Sequence, residues 1–129
     1  MNMDSVVHFE IPADDVKRAS AFYKNAFGWN LTKYEGGMEY WMVSTTEVTE
    51  EGMPKNPGAI NGGMGARGGP LKVPVVTIAV KDIDKTIATV VKLGGKAVGK
   101  KQSIGEMGFT AYFQDSEGNV MGLWQSAQA

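Results

Sequence analysis

The sequence predicts an α+β fold made of two tandem βαβββ modules. Three observations carry this reading. A strand-then-helix unit occurs twice, since Phe9 to Gly28 aligns without a gap on Val76 to Gly95, and internal self-similarity is the mark of a repeated structural unit. In each copy an alternating apolar run leads to an aspartate, an apolar stripe at helical spacing and a glycine stop. Each copy is then followed by strand-like runs set apart by turn residues.

In the first strand Val7, Phe9 and Ile11 are apolar, so they are expected to face the helix, with His8 and Glu10 on the other side of the sheet. Asp14 or Asp15 can cap the helix that follows, and Val16, Ala19, Tyr23, Ala26 and Phe27 form its apolar stripe. Gly28 suits the left-handed position that ends a helix. Strands are expected over Asn30 to Tyr34, Glu39 to Thr45 and Ala59 to Met64. Glu47 to Pro57 reads as an exposed loop ahead of the last of these.

The second module repeats the plan. Val76, Ile78 and Val80 are expected to face the helix, while Val75, Thr77 and Ala79 face away. Asp82 opens the helix, Ile83, Ile87, Val90 and Val91 form its stripe, and Gly94-Gly95 stop it. Strands are expected over Lys96 to Gly99, Phe109 to Gln114 and Asn119 to Gln125, with Asp115 to Asn119 as the turn between the last two. Met121 and Leu123 suit the packed face, which leaves Val120, Gly122 and Trp124 on the other. The expected organisation is one domain over residues 1–129: a module of about 5–64, a linker of about 65–73 and a module of about 74–126.

Composition narrows the function classes. The chain has 129 residues, enough for one packed core, and its net charge of -1 does not provide the basic surface that nucleic acid requires. With no cysteine, thiolate nucleophiles, disulfides and cysteine metal sites are excluded, which fits a reducing, cytoplasmic location. The start, Met1-Asn2-Met3-Asp4-Ser5, lacks the pattern of a signal peptide, and Val73 to Val80 is too short an apolar run to span a bilayer. No membrane or nucleic-acid partner is therefore expected. Gly63-Met64-Gly65-Ala66-Arg67-Gly68 matches a dinucleotide-binding fingerprint in letters only. Gly69-Pro70 and Pro74 follow where that motif needs a helix, so the run reads as linker.

The segments Phe9-Glu10-Ile11-Pro12-Ala13-Asp14-Asp15, Ala21-Phe22-Tyr23 and Phe27-Gly28-Trp29 resemble the opening of a module of the vicinal oxygen chelate superfamily. That superfamily includes glyoxalase I, bleomycin-resistance proteins and extradiol dioxygenases. Asp115 to Trp124 resembles its closing hairpin. The resemblance implies paired βαβββ modules forming an incomplete barrel around a ligand cavity, and a homodimer. It also implies a divalent metal in many members, held by His or Gln on the first strand of each module and Glu on the last.

Carried across residue by residue, the first-strand metal position falls on His8, seven residues before Asp15. Its counterpart in the second module is Val75, or Val76 in the neighbouring register. The closing glutamate position falls on Gly122, and its counterpart in the first module on Gly62, or Asn61 in the other register. Valine and glycine offer no lone pair, and such sites need three or more protein ligands. The expectation is that no catalytic metal and no other cofactor is bound, a divalent metal being needed only under the metal-dependent alternative below.

The favoured function is a metal-independent small-molecule-binding protein of the glyoxalase and bleomycin-resistance type, taking a neutral or aromatic ligand. Trp41, Met42, Tyr112 and Trp124 are candidate ligand walls, because aromatic and thioether side chains pack well on such ligands. One alternative is a lactoylglutathione lyase-like enzyme, or another metal-dependent isomerase or dioxygenase. A further one is a metal-free enzyme in which His8 and Glu10 transfer protons as catalytic residues.

Overall fold

The computed structural model describes residues 3–127 of the chain. The first module contains β1 (Val6–Ala13), α1 (Val16–Phe27), β2 (Asn30–Lys33), β3 (Tyr40–Ser44) and β4 (Gly62–Ala66). The second contains β5 (Val75–Ala79), α2 (Ile83–Lys92), β6 (Lys96–Ile104), β7 (Gly108–Gln114) and β8 (Val120–Ser126). The repeated βαβββ plan is thus present twice. Contacts group the chain into two compact units, one of His8–Pro74 and one from Val75 onward that also takes in the described residues up to Val7. Within the latter, the Ala79 amide donates to the Ser5 carbonyl at 2.9 Å.

Both modules share one topology. In the first, β2 pairs antiparallel with β3, β3 antiparallel with β4, and β4 parallel with β1. In the second, β6 pairs antiparallel with β7, β7 antiparallel with β8, and β8 parallel with β5. The parallel pairing of first and last strand is the part a hairpin cannot make; the intervening helix and hairpins supply the crossover it needs.

Helix α1 begins where predicted. Asp15 is its N-cap, and its side chain accepts from the Arg18 amide at 3.0 Å, a bond of the kind that contributes about 1 kcal/mol. Gly28 closes it at φ 76°, its amide donating to the Lys24 carbonyl at 2.9 Å. No residue of α1 is fully buried. Val16, Ala19 and Tyr23 instead lie against a core of Ala13, Val43 and Met64, joined by Phe9, Ile11, Trp29, Leu31 and Trp41. Tyr23 stacks on Trp29 with ring centroids 4.9 Å apart and planes 7° from parallel. Ala26 and Phe27, expected in the stripe, are exposed. Phe27 makes ring contacts with Tyr23 and Trp29.

Helix α2 is capped by Asp82, which accepts from the Lys85 amide at 3.1 Å. Ile83, at its first turn, is buried, and its amide donates to Gln125 Oε1 of β8 at 2.8 Å. The core here consists of Val80, Ile83, Ala111, Phe113 and Leu123, with Ile78, Ile87, Val90, Phe109 and Met121 packed around it.

Two strands, β4 and β6, differ from the sequence reading by more than one residue at an end. β4 starts at Gly62, not Ala59, and runs to Ala66, so Gly65 and Ala66 are strand and not linker. The reason is the parallel ladder to β1, which continues to Ala13↔Ala66. β6 extends to Ile104, because the strand passes a register shift between Val98 and Gln102 and resumes pairing with β7. Lys101, on β6, donates to Asp84 at 2.8 Å and lies over the Phe109 ring at 4.9 Å.

Candidate functional site

The face of each sheet that does not meet its helix follows from the strand registers. In the first module Glu10 is paired with Gly63, Gly63 with Met42, and Gly65 with Tyr40. Paired positions project to the same side of a sheet. His8 and Glu10 therefore share a face with Tyr40 and Met42, and Gly63 and Gly65 add no side chain between them. The intervening residues Phe9, Ile11, Met64, Trp41, Val43 and Leu31 belong to the helix-side core. The alternation expected for β1 is present.

His8 is half-buried, and its Nε2 lies 3.0 Å from the Tyr40 hydroxyl. Burial lowers the His8 pKa below its ordinary 6.5, with the negative charge of Glu10 pulling the other way. The imidazole is accordingly neutral near neutral pH, with one ring nitrogen a donor and the other an acceptor. Glu10 itself is buried. Tyr40 reaches His8 across β4, and it does so where β4 has a glycine: a β-carbon on Gly63 would collide with the tip of the Tyr40 ring.

The predicted wall residues divide. Trp41 and Met42 are neighbours on β3 and so point to opposite sides. Trp41 packs into the helix-side core, with the Lys33 ammonium 5.7 Å from its ring centre. Met42 lies with His8 and is 40% exposed. In the second module Gly122 is paired with both Thr77 and Tyr112, and Trp124 with both Ala79 and Thr110. Tyr112 and Trp124 therefore share the non-helix face with Thr77, and both are half-buried. Thr77 is buried.

Sequence reading missed Tyr40 and Gly63, and it put Thr77 on this face without naming it a site residue. Tyr40 has the same strand parity as Met42, a signal that was available once β3 was recognised. The demand on Gly63 was not visible, because it depends on the register of β3 against β4.

A divalent metal, as the superfamily resemblance implies, does not fit the residues at the matching positions. His8 Nε2 is engaged by Tyr40. Asn61 Oδ1 accepts from the amides of Thr45 at 2.8 Å and Thr46 at 3.1 Å, which makes it a cap on the end of β3. At Gly122 an added β-carbon would already stand 2.8 Å from Thr77 Oγ1, so a longer side chain cannot enter without displacing it. Val75 is buried and has no donor atom. Among the described residues no three His, Cys, Asp or Glu side chains form a group able to hold a metal ion.

A cleft of about 320 Å³ lies elsewhere, beside the start of α1, lined by Ile11, Arg18, Phe22, Tyr23 and Arg67 among others. None of the six predicted site residues lines it. Of the two arginines lining it, Arg67 pairs with Asp14 at 3.0 Å and donates to the Lys72 carbonyl at 2.7 Å. Among the described residues no helix is long and apolar enough to cross a membrane.

Comparison with known proteins adds three findings. Residues 5–46 match the model of the bleomycin resistance protein-like N-terminal family. A glyoxylase-like domain-containing protein of Didymella fabae is 32% identical over 118 residues, covering 86% of this chain and 85% of that protein. Among solved structures, a variant of Streptomyces coelicolor methylmalonyl-CoA epimerase in complex with 2-nitronate-propionyl-CoA matches with a TM-score of 0.68 at 16% identity, over 98% of this chain and 99% of that one. The methylmalonyl-CoA epimerase of Mycobacterium tuberculosis matches with a TM-score of 0.61 at 16% identity, over 95% and 87% of the two chains. At these identities the structural likeness establishes the fold.

Proposed function

The chain belongs to the glyoxalase-like family of the vicinal oxygen chelate superfamily, and from that premise we propose that it is a metal-independent small-molecule-binding protein. The ligand is held on the non-helix face of the first module, against His8, Glu10, Tyr40 and Met42. The observation that carries this reading is the His8–Tyr40 bond of 3.0 Å over Gly63. It commits to a side chain the nitrogen that a metal would otherwise take, and leaves polar atoms grouped beside an apolar thioether. A few polar groups set in apolar surroundings are the usual composition of a small-ligand site. Tyr112 and Trp124 are the corresponding candidates on the second module.

The test is native mass spectrometry and elemental analysis of protein purified without a tag. The expected result is a copurifying small molecule and no stoichiometric divalent metal. A stoichiometric metal that disappears in His8→Ala overturns the proposal. It would restore the lactoylglutathione lyase-like alternative, which turnover of the glutathione–methylglyoxal hemithioacetal would then check.

A second reading, a metal-free enzyme, is favoured by one observation. A half-buried histidine kept neutral by burial, on the same face as a buried carboxyl, is suited to accept and return a proton near neutral pH. The same premise supports a homodimer in the cytoplasm, with light scattering on the purified chain as the check on the dimer.

A further inference from the structure

The cleft of about 320 Å³ beside the start of α1 lies outside the site proposed above. Ile11 lines it, and Ile11 projects to the side of β1 opposite His8 and Glu10. The cleft stands at the carboxyl ends of the parallel strands β1 and β4, where the Arg67 amide donates to the Ala13 carbonyl at 3.1 Å. Crevices at the carboxyl ends of parallel strands are recurring ligand sites.

Helix α1 supplies one wall. Asp15, Arg18, Ala19 and Phe22 follow at three- and four-residue spacing and form a single stripe along it. Phe22 is 60% exposed, yet its ring is held in place. It meets Tyr23 edge-on, with centroids 5.1 Å apart and planes at 89°, and Tyr23 is itself stacked on Trp29. A fixed, exposed ring is a ready stacking surface for an aromatic ligand.

The two arginines are placed differently. Arg67 is held by Asp14 and by the Lys72 carbonyl. The Gly68–Leu71 turn, closed by mutual backbone bonds of 3.0 and 2.9 Å, brings that carbonyl back to it. Arg18 is not engaged in this way. Among the described residues its guanidinium makes no ion pair and no hydrogen bond. Its backbone amide is already satisfied by Asp15, so the helix end itself is not offered to an anion. The cleft thus sets one uncommitted cation beside an exposed ring four residues further along the same face.

We propose that this cleft is a second binding site, for a small aromatic monocarboxylate. The carboxylate is bound by the Arg18 guanidinium, whose planar fork matches it with two parallel hydrogen bonds. The ligand ring lies against Phe22, with Ile11 and Ala19 adding apolar surface. A volume of about 320 Å³ is at the low end for small-molecule sites, which suits a single ring and not an extended ligand. Asp14 and Asp15 also line the cleft. They oppose a second negative charge, so a dianion such as phosphate is disfavoured.

The experiment titrates the full chain with benzoate, benzyl alcohol, acetate and inorganic phosphate, read by backbone amide shifts. Benzoate is expected to bind most tightly and to move the amides of Arg18, Phe22 and Arg67. Arg18→Gln is expected to weaken it about five- to tenfold, the size of a charged hydrogen bond reduced by solvent screening. Arg18→Lys keeps the charge without the fork and should lose part of that. Phe22→Ala should weaken benzoate and leave acetate as it was. Benzoate binding no tighter than acetate or phosphate overturns the proposal, as does benzoate affinity that survives both Arg18→Gln and Phe22→Ala. Benzoate shifts that follow His8→Ala and ignore Arg18→Gln place the probe on the opposite face and overturn it too. Absence of benzoate binding has the same consequence.

Discussion

Tyr40 occupies the space in front of Gly63 that a side chain on β4 would fill. The two residues are on adjacent strands, and the glycine lets the tyrosine ring lie across the sheet toward His8. Gly63→Ala is therefore expected to displace the ring, break the His8–Tyr40 bond and destabilise the fold by about 1–3 kcal/mol, the usual range for overpacking. The His8 nitrogen-15 shifts and a denaturation curve read the two effects. An alanine variant with wild-type His8 shifts would show that the ring does not depend on this glycine.

The His8 pKa predicts how stability varies with pH. In the unfolded chain His8 titrates near 6.5, and in the folded protein burial places it lower, against the opposing charge of Glu10. Among the described residues, Tyr40 from β3 is also in contact with it. Between the two values the unfolded state binds more protons, so stability rises with pH in that window. Above it His8 makes no pH-dependent contribution. Denaturation midpoints are expected to fall as pH drops from about 7 to about 5, and His8→Gln is expected to remove most of that slope. A wild-type slope retained in His8→Gln would assign it to another group. Asp115, whose carboxyl the Asn119 amide holds below the ordinary carboxylate range, titrates at lower pH and does not account for it.

Local signals made much of this fold legible. The caps Asp15 and Asp82 and the glycine after α1 are set by residues within one turn of the helix end, and they stand where the sequence places them. Strand alternation placed Phe9 and Ile11 in the core and His8 and Glu10 on the other face. What depends on non-local pairing was less legible. β4 reads as a weak glycine-rich run, and its true extent comes from the ladder with β1, more than forty residues earlier in the chain. Of the two neighbours Trp41 and Met42, only one can share a face with His8. Choosing between them needs the pairing of Met42 with Gly63.

Asn61 marks where an expectation about ligands gives way to a structural role. Its Oδ1 accepts from two successive amides, those of Thr45 and Thr46, and lies 3.4 Å from Thr45 Oγ1. Asn61→Ala strands both amides beside the end of β3 and is expected to cost about 1–3 kcal/mol, with no change in metal content. Asn61→Asp keeps the acceptor oxygen and should recover much of the loss, as measured by chemical denaturation. Equal losses in the two variants would argue against the cap.

Met64 and Met42 lie on neighbouring strands but on opposite faces. Met64 has no exposed surface, and Met42 is 40% exposed. Met64→Ala is expected to cost about 2–5 kcal/mol through lost burial and the cavity left behind. Met42→Ala should cost under about 1 kcal/mol while weakening any ligand held beside His8. Thermal unfolding paired with a binding measurement separates the two. A large stability loss from Met42→Ala would mean that this face is packed and is not available to a ligand.

On the second module, Gly122 and Thr77 are register partners on β8 and β5. A β-carbon at position 122 would stand 2.8 Å from Thr77 Oγ1 but 3.5 Å from Thr77 Cβ. The first distance is a clash and the second is ordinary contact, so the conflict lies with the hydroxyl alone. Gly122→Ala is accordingly expected to destabilise by about 1–3 kcal/mol. Thr77→Ala removes the offending oxygen, and the double variant should be more stable than the sum of the single losses predicts, by about 1 kcal/mol in a double-mutant cycle. Strict additivity would show that β8 relaxes away from β5 without help. In that case the closing-strand position would have room for a longer side chain, and the steric argument against a ligand there would fall, leaving only the chemistry of glycine itself.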